Sequence, residues 1–203
     1  MIEWGVATLT LPGQAESGDR YVVKPFRGGA LVAAVDGLGH GDEAAAAAKT
    51  AVAILEMYSP EPVIALLRRC HERLRMTRGV VLSLASFVAR ERTMTWLGVG
   101  NVEGRLLRAN PHADPPQESL LLRGGVVGGD LPVPYASIVP VWPGDTLVFT
   151  TDGVRSNFAE GLTVSEPPQR SADRILGQYG KHTDDALVLV ARYVGQHHEE
   201  DVA

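Results

Sequence analysis

The hydrophobic and polar positions of this chain fall into blocks with different periods. Apolar-rich stretches with intervening turn residues predict strands over 2–11, 20–26 and 30–35, separated by "PGQAESGD" and "RGG" and expected to lie as antiparallel neighbours. Two helices follow, over 42–58 and 61–76, broken by "SPEP". In the second, Val63, Ile64, Leu67, Cys70 and Leu74 recur on one face at helical spacing. From Gly79 the texture changes again: "VVLSLASFVARERTMTWLGVGNVEGRLLRAN" predicts a three-stranded meander with turns near Glu91 and at Val102-Glu103. "PHADPPQES" and "GGVVGGDLP" read as loops, and "DTLVFTTDG" as a buried strand ending in an Asp-Gly pair. A last helix near 172–179 precedes "HTDDALVLVARYV", a strand that starts directly after two aspartates. Strands in runs, with helices in separate blocks, predict an α+β layered sandwich rather than alternating βαβ units. One domain over 1–195 with a polar tail over 196–203 is expected.

The stretch "ALVAAVDGLGHGDEAAAAA", from Ala30 to Ala48, is strand, glycine turn, helix, an arrangement that holds either a dinucleotide or a metal. The dinucleotide fingerprint requires G-x-G-x-x-G or A. Here Gly37, Gly39 and Gly41 run G-x-G-x-G, the sixth position is Asp42, and Asp36 would place a carboxylate near a pyrophosphate. The metal reading draws on residues elsewhere. Asp36 and Asp152 each end a predicted buried strand, and Asp184-Asp185 begin another. An antiparallel last strand would gather them at one edge of the core. Neighbouring carboxylates repel and protonate unless a cation neutralises them, and an oxygen-only donor set selects Mg²⁺ or Mn²⁺ over zinc. Any one of these aspartates alone would serve as an ordinary turn residue. Three such sites, each beside an apolar run, favour the metal.

Composition narrows the partners. A net charge of -5 and no Lys/Arg run longer than two argue against nucleic acid as the main ligand. Cys70 is the single cysteine, so no internal disulfide forms, and a cytoplasmic home is expected. The opening "MIEWGVATLT" has no signal-peptide pattern, and no apolar run approaches the roughly 20 residues of a spanning helix.

In order along the chain, "ESGDRYVV", "VAAVDGLGHG", "WLGVGNVEGRLL", "RGGVVGG", "PGDTLVFTTDGV" and "TDDALVLVARY" resemble the metal-dependent protein serine/threonine phosphatases of type 2C, the PPM family. Compact size with the "GVGNV" and "GGVVGG" segments is most similar to the bacterial subgroup of sporulation and sigma-factor-control phosphatases, and within it to the RsbX-type stressosome phosphatases. The resemblance implies a four-layer αββα sandwich of two antiparallel sheets flanked by helices, and two metal ions. It implies that Asp36 bridges the ions, that the Gly37 carbonyl serves the second, that Asp152 and Asp184 complete the first, and that Asp19 sits at the second. Asp185 is the alternative to Asp184. Hydrolysis would follow attack of a metal-activated water on phosphoserine or phosphothreonine, and the substrates would be phosphorylated STAS-domain stressosome proteins.

His40, four residues past Asp36 in the glycine loop, is the candidate general acid, against the alternative of an exposed loop histidine. His182 reads as loop filler, His71 as surface or edge of core, and Cys70 as a small core residue. Many eukaryotic relatives hold the substrate phosphate with an arginine before the first acidic motif, and "LPGQAESG" has none. Arg20 follows Asp19 on a strand and so points to the opposite face. Two other readings stand beside the phosphatase: a catalytically weak member that binds phosphoproteins as a signalling module, and a nucleotide-binding enzyme.

Overall fold

The computed structural model of the chain describes residues 1–160, 162 and 165–195, and the expected polar tail lies outside them. Its elements in chain order are β1 (Ile2–Leu9), β2 (Asp19–Phe26), β3 (Gly29–Gly37), α1 (Asp42–Met57), α2 (Val63–Leu74), β4 (Val80–Val88), β5 (Thr93–Val99), β6 (Glu103–Leu107), β7 (Gln117–Ser119), β8 (Leu122–Arg123), β9 (Ser137–Pro140), β10 (Thr146–Thr150), α3 (Pro168–Tyr179) and β11 (Ala186–Tyr193). One sheet is ordered β1-β11-β10-β6-β7. The other is ordered β2-β3-β4-β5-β8, with β9 beside β5.

Period-two alternation in strands buried on both faces builds the layers. Along β3, Leu31, Ala33 and Val35 pack with α1 and α2, while Val32 and Ala34 point to the second sheet. Along β11, Leu187, Leu189 and Ala191 meet Phe149 and Phe87 between the sheets, and Ala186, Val188 and Val190 pack with Ala172 and Ile175 of α3. Three apolar cores thus hold four layers, each fully buried Val, Leu or Phe contributing roughly 1.5–3 kcal/mol. The expected αββα sandwich is the observed one. Among the described residues no helix is long and apolar enough to cross a membrane.

Two expected pairings are corrected. β1 is not a neighbour of β2; it pairs along its whole length with β11, from Ile2↔Tyr193 to Leu9↔Ala186. Residues 10–18 are longer than the roughly 2–5 residues of a hairpin loop and carry the chain across to the other sheet. The meander also breaks after β5, because β6 pairs with β10 instead. The short connection 100–102 arches between sheets where its length alone suggests a hairpin.

The helix faces follow the pattern closely. α2 buries Val63, Leu66, Leu67, Cys70 and Leu74, with Ile64 only partly buried. Cys70 is fully buried and its thiol is pushed up to about 12 by burial, so it is a core residue and not a nucleophile.

Candidate active site

Four chain segments deliver aspartates to one cleft between the sheet edges. Asp19 opens β2 and faces Asp36, the last but one residue of β3, in the antiparallel register. Asp152 lies just past β10, and Asp184-Asp185 just before β11, its antiparallel partner. The cleft, about 210 Å³, is lined by these five aspartates with Leu38, Gly39, His40, Val81 and Asn101.

The Asp-Gly pairs exist because backbone passes close behind each aspartate. A Cβ at Gly37 would lie 2.1 Å from the Ala44 carbonyl oxygen of α1, and one at Gly153 would lie 1.9 Å from the Asp185 carbonyl oxygen. Neither position admits a side chain without moving the aspartate beside it.

Each carboxylate is positioned differently. Asp19, 4% exposed, accepts a hydrogen bond from the Thr151 hydroxyl at 2.6 Å, and that hydroxyl accepts the Leu187 N–H at 2.8 Å. Asp185 accepts the backbone N–H groups of Leu11 at 2.7 Å and Gly18 at 2.6 Å, one on each oxygen, which ties the crossing segment 10–18 to β11. Asp184 is exposed and among the described residues accepts only the Asp185 N–H, at 2.9 Å, on Oδ1. Asp152 accepts from the Asn101 amide at 2.8 Å, while Lys181 donates to its main-chain carbonyl at 2.6 Å.

Crowding raises the proton affinity of the inner pair. Burial, and then repulsion from Asp19, Asp152, Asp184 and Asp185, pushes Asp36 up to about 8. Burial is also the largest cause at Asp19, pushed up to about 7; the Thr151 hydrogen bond opposes it and Asp185, Asp152 and Asp184 add to it. Among the described residues no three carboxylate, imidazole or thiol groups close into a tight metal cage. The donor set is nonetheless all oxygen, anionic and partly desolvated, which fits a hard divalent cation.

The structure brings Asp19, Asp36, Asp152, Asp184 and His40 to one cleft. His40 is exposed on the rim, with Nδ1 3.5 Å from the Gln14 amide. Arg20 is absent from the lining and pairs with Glu16 at 3.4 Å, as the strand parity predicts. His182 is absent from it too. His71 accepts the Gly128 N–H at 3.1 Å on Nδ1 and so pins the "GGVVGG" loop to α2. Thr151, Asn101 and Lys181 were not singled out by the sequence. The doubled threonine before Asp152 is a signal for the first, since a hydroxyl ending a buried strand must find a partner.

Thr151→Val should lower stability by about 1–3 kcal/mol, because it leaves the Leu187 N–H and an Asp19 oxygen unpaired in a buried place. Thermal denaturation should show a fall of roughly 2–4 °C per kcal/mol, largely restored by Thr151→Ser. An unchanged melting temperature would remove the hydroxyl from this role.

Comparison with known proteins agrees with this geometry. The family model for stage II sporulation protein E (SpoIIE) matches residues 27–194. Phosphoserine phosphatase RsbX of Bacillus subtilis (strain 168) is 26% identical over 167 residues, 79% of this chain and 81% of that protein. A solved chain of the bacterial stressosome, described as a modular system adapted to control secondary messenger signaling, superposes with a TM-score of 0.85 at 28% identity, covering 95% of this chain and 100% of that one. RsbX in complex with magnesium superposes with a TM-score of 0.83 at 22% identity, covering 94% of each chain. With the family model spanning β3 to β11 and the fold matched throughout, the chain belongs to the SpoIIE family of type 2C phosphatases.

Proposed function

We propose that this phosphatase hydrolyses phosphoserine and phosphothreonine on protein substrates of a bacterial stress-signalling pathway, STAS-domain stressosome proteins, with two Mg²⁺ or Mn²⁺ ions in the cytoplasm. The observation that carries the reading is the meeting of five aspartates from four segments in one cleft with no lysine or arginine in its lining. The names of the phosphoserine phosphatase and of the magnesium complex among its relatives support it.

Asp36, Asp152, Asp184 and the Gly37 carbonyl would hold the ions, with Asp19 at the second. Asp185 spends its oxygens on Leu11 and Gly18 and acts as an anchor of the loop. The bound ions supply Lewis acidity and neutralise charge at the phosphate. His40, on the rim, would give a proton to the departing serine or threonine oxygen. Asn101 fixes the orientation of the Asp152 carboxylate, and Lys181 its backbone.

The test is hydrolysis of p-nitrophenyl phosphate and of a phosphoserine peptide with Mg²⁺, Mn²⁺ or EDTA. Metal-dependent turnover of both is expected; none under any metal favours a phosphoprotein-binding module instead. His40→Ala should lower the peptide rate about 10²-fold. The effect on p-nitrophenyl phosphate should be much smaller, because nitrophenolate leaves without a proton. Equal losses on both substrates would assign His40 to positioning rather than acid catalysis.

A further inference from the structure

A run of basic residues in this acidic chain ends beside the cleft. Residues 68–78 contain Arg68, Arg69, Arg73, Arg75 and Arg78 against one carboxylate, Glu72, in a protein whose net charge is -5. All five arginines are exposed. Two are committed within the chain: Arg69 pairs with Glu61 at 2.7 Å and lies over the Tyr58 ring, and Arg78 pairs with Glu43. Among the described residues Arg68, Arg73 and Arg75 have no carboxylate in ion-pair range. Met76, 97% exposed, and Met57, 70% exposed, flank the strip with adaptable apolar surface.

The strip reaches the cleft rim. Arg78 Nη1 lies 2.8 Å from where a Cβ on Gly39 would stand, and Gly39 and His40 line the cleft. The cleft itself is poor at attracting an anionic substrate from a distance, since its lining has five aspartates and no lysine or arginine.

We propose that the exposed basic surface of α2 and the turn that follows it, with Arg68 and Arg75 on one flank, Arg73 on the α1 side and Arg78 at the cleft rim, is the docking surface for an acidic polypeptide segment that accompanies the phosphorylated residue. This rests on the phosphatase reading above. α2 spans about 18 Å at roughly 1.5 Å per residue, so an acidic segment of a few turns or strands along it would leave the phosphoresidue at the Gly39–His40 rim. Specificity then comes from charge complementarity outside the cleft, which raises encounter rate and selects against neutral partners.

The test uses two labelled phosphoserine peptides of equal length, one with a Glu-rich flank and one with Gln in the same positions, bound to the whole chain and read by fluorescence anisotropy. The acidic peptide should bind about tenfold more tightly, with the advantage lost in about 0.3 M salt. Arg68→Glu/Arg73→Glu/Arg75→Glu should abolish the preference, and the milder Arg→Gln triple variant should weaken it. Circular dichroism checks the fold of each. Equal binding of the two peptides, or a preference kept in both triple variants, would overturn the proposal. So would preferential capture of a single-stranded oligonucleotide or of anionic phospholipid vesicles, which would assign the strip to a different polyanion. Absence of p-nitrophenyl phosphate turnover would count against the phosphatase reading alone, because peptide binding is read without catalysis.

Discussion

Asp36→Asn should yield a folded protein, more stable than the native chain in EDTA at pH 8, that has lost at least about 10³-fold in phosphoserine turnover. The two effects have one cause. Asp36 faces Asp19 across the β2–β3 register, and burial with four neighbouring carboxylates pushes it up to about 8. An amide of the same shape removes the charge that the metal-free site tolerates least. The same charge is what would hold a divalent cation, and losing about 4 kcal/mol of transition-state stabilisation corresponds to the stated rate loss. Calorimetric titration with Mg²⁺ separates the steps, since the variant should bind the ion far more weakly. A variant that turned over substrate near the native rate would remove Asp36 from the metal centre. One that merely unfolded would show instead that the carboxylate is needed structurally.

The legible parts of this molecule are those where a local pattern has one physical solution. β3 reads from its continuous apolar run because both its faces are buried, and α2 from apolar positions at helical spacing, of which Val63, Leu67, Cys70 and Leu74 are buried and Ile64 only partly. Asp36, Asp152 and Asp184-Asp185 are legible because each ends or begins such a run, and the antiparallel pairing of β10 with β11 brings Asp152 and Asp184 to one sheet edge, whereas Asp19 follows only from the family resemblance. Sheet membership is not local. The pairing of β1 with β11 joins residues almost two hundred positions apart, and alternation along β1 is the same whichever partner it takes. Nor does sequence show which of two adjacent aspartates is committed elsewhere. Asp184 and Asp185 differ by which backbone donors they meet, and the Leu11 and Gly18 N–H groups come from a segment far from both in the chain. Asn101 and Lys181 carry no local signal for the same reason: their value lies in what they touch.

In EDTA the melting temperature should fall as pH rises from about 4 to 8, and saturating Mg²⁺ should reverse the trend at its upper end. Asp19 and Asp36 are pushed up from 3.8 to about 7 and about 8. Between those values the folded state keeps protons that the unfolded chain has released, so stability from these groups is full below about pH 4 and is lost as pH climbs through 7–8. Asp19 and Asp36 face each other and titrate as a coupled pair, and the melting temperature should fall by at least roughly 5–15 °C for a chain of this size. A divalent cation binds the deprotonated pair, so it competes with protons below pH 6 and is fully effective above pH 8, where ion at about a hundred times its dissociation constant adds roughly 2.7 kcal/mol. The EDTA and Mg²⁺ melting curves should therefore diverge with rising pH in the native chain and run nearly parallel in Asp36→Asn. Parallel curves in the native chain would mean that the carboxylate cluster meets no cation, and that its strain is borne by the Thr151, Leu11 and Gly18 hydrogen bonds alone.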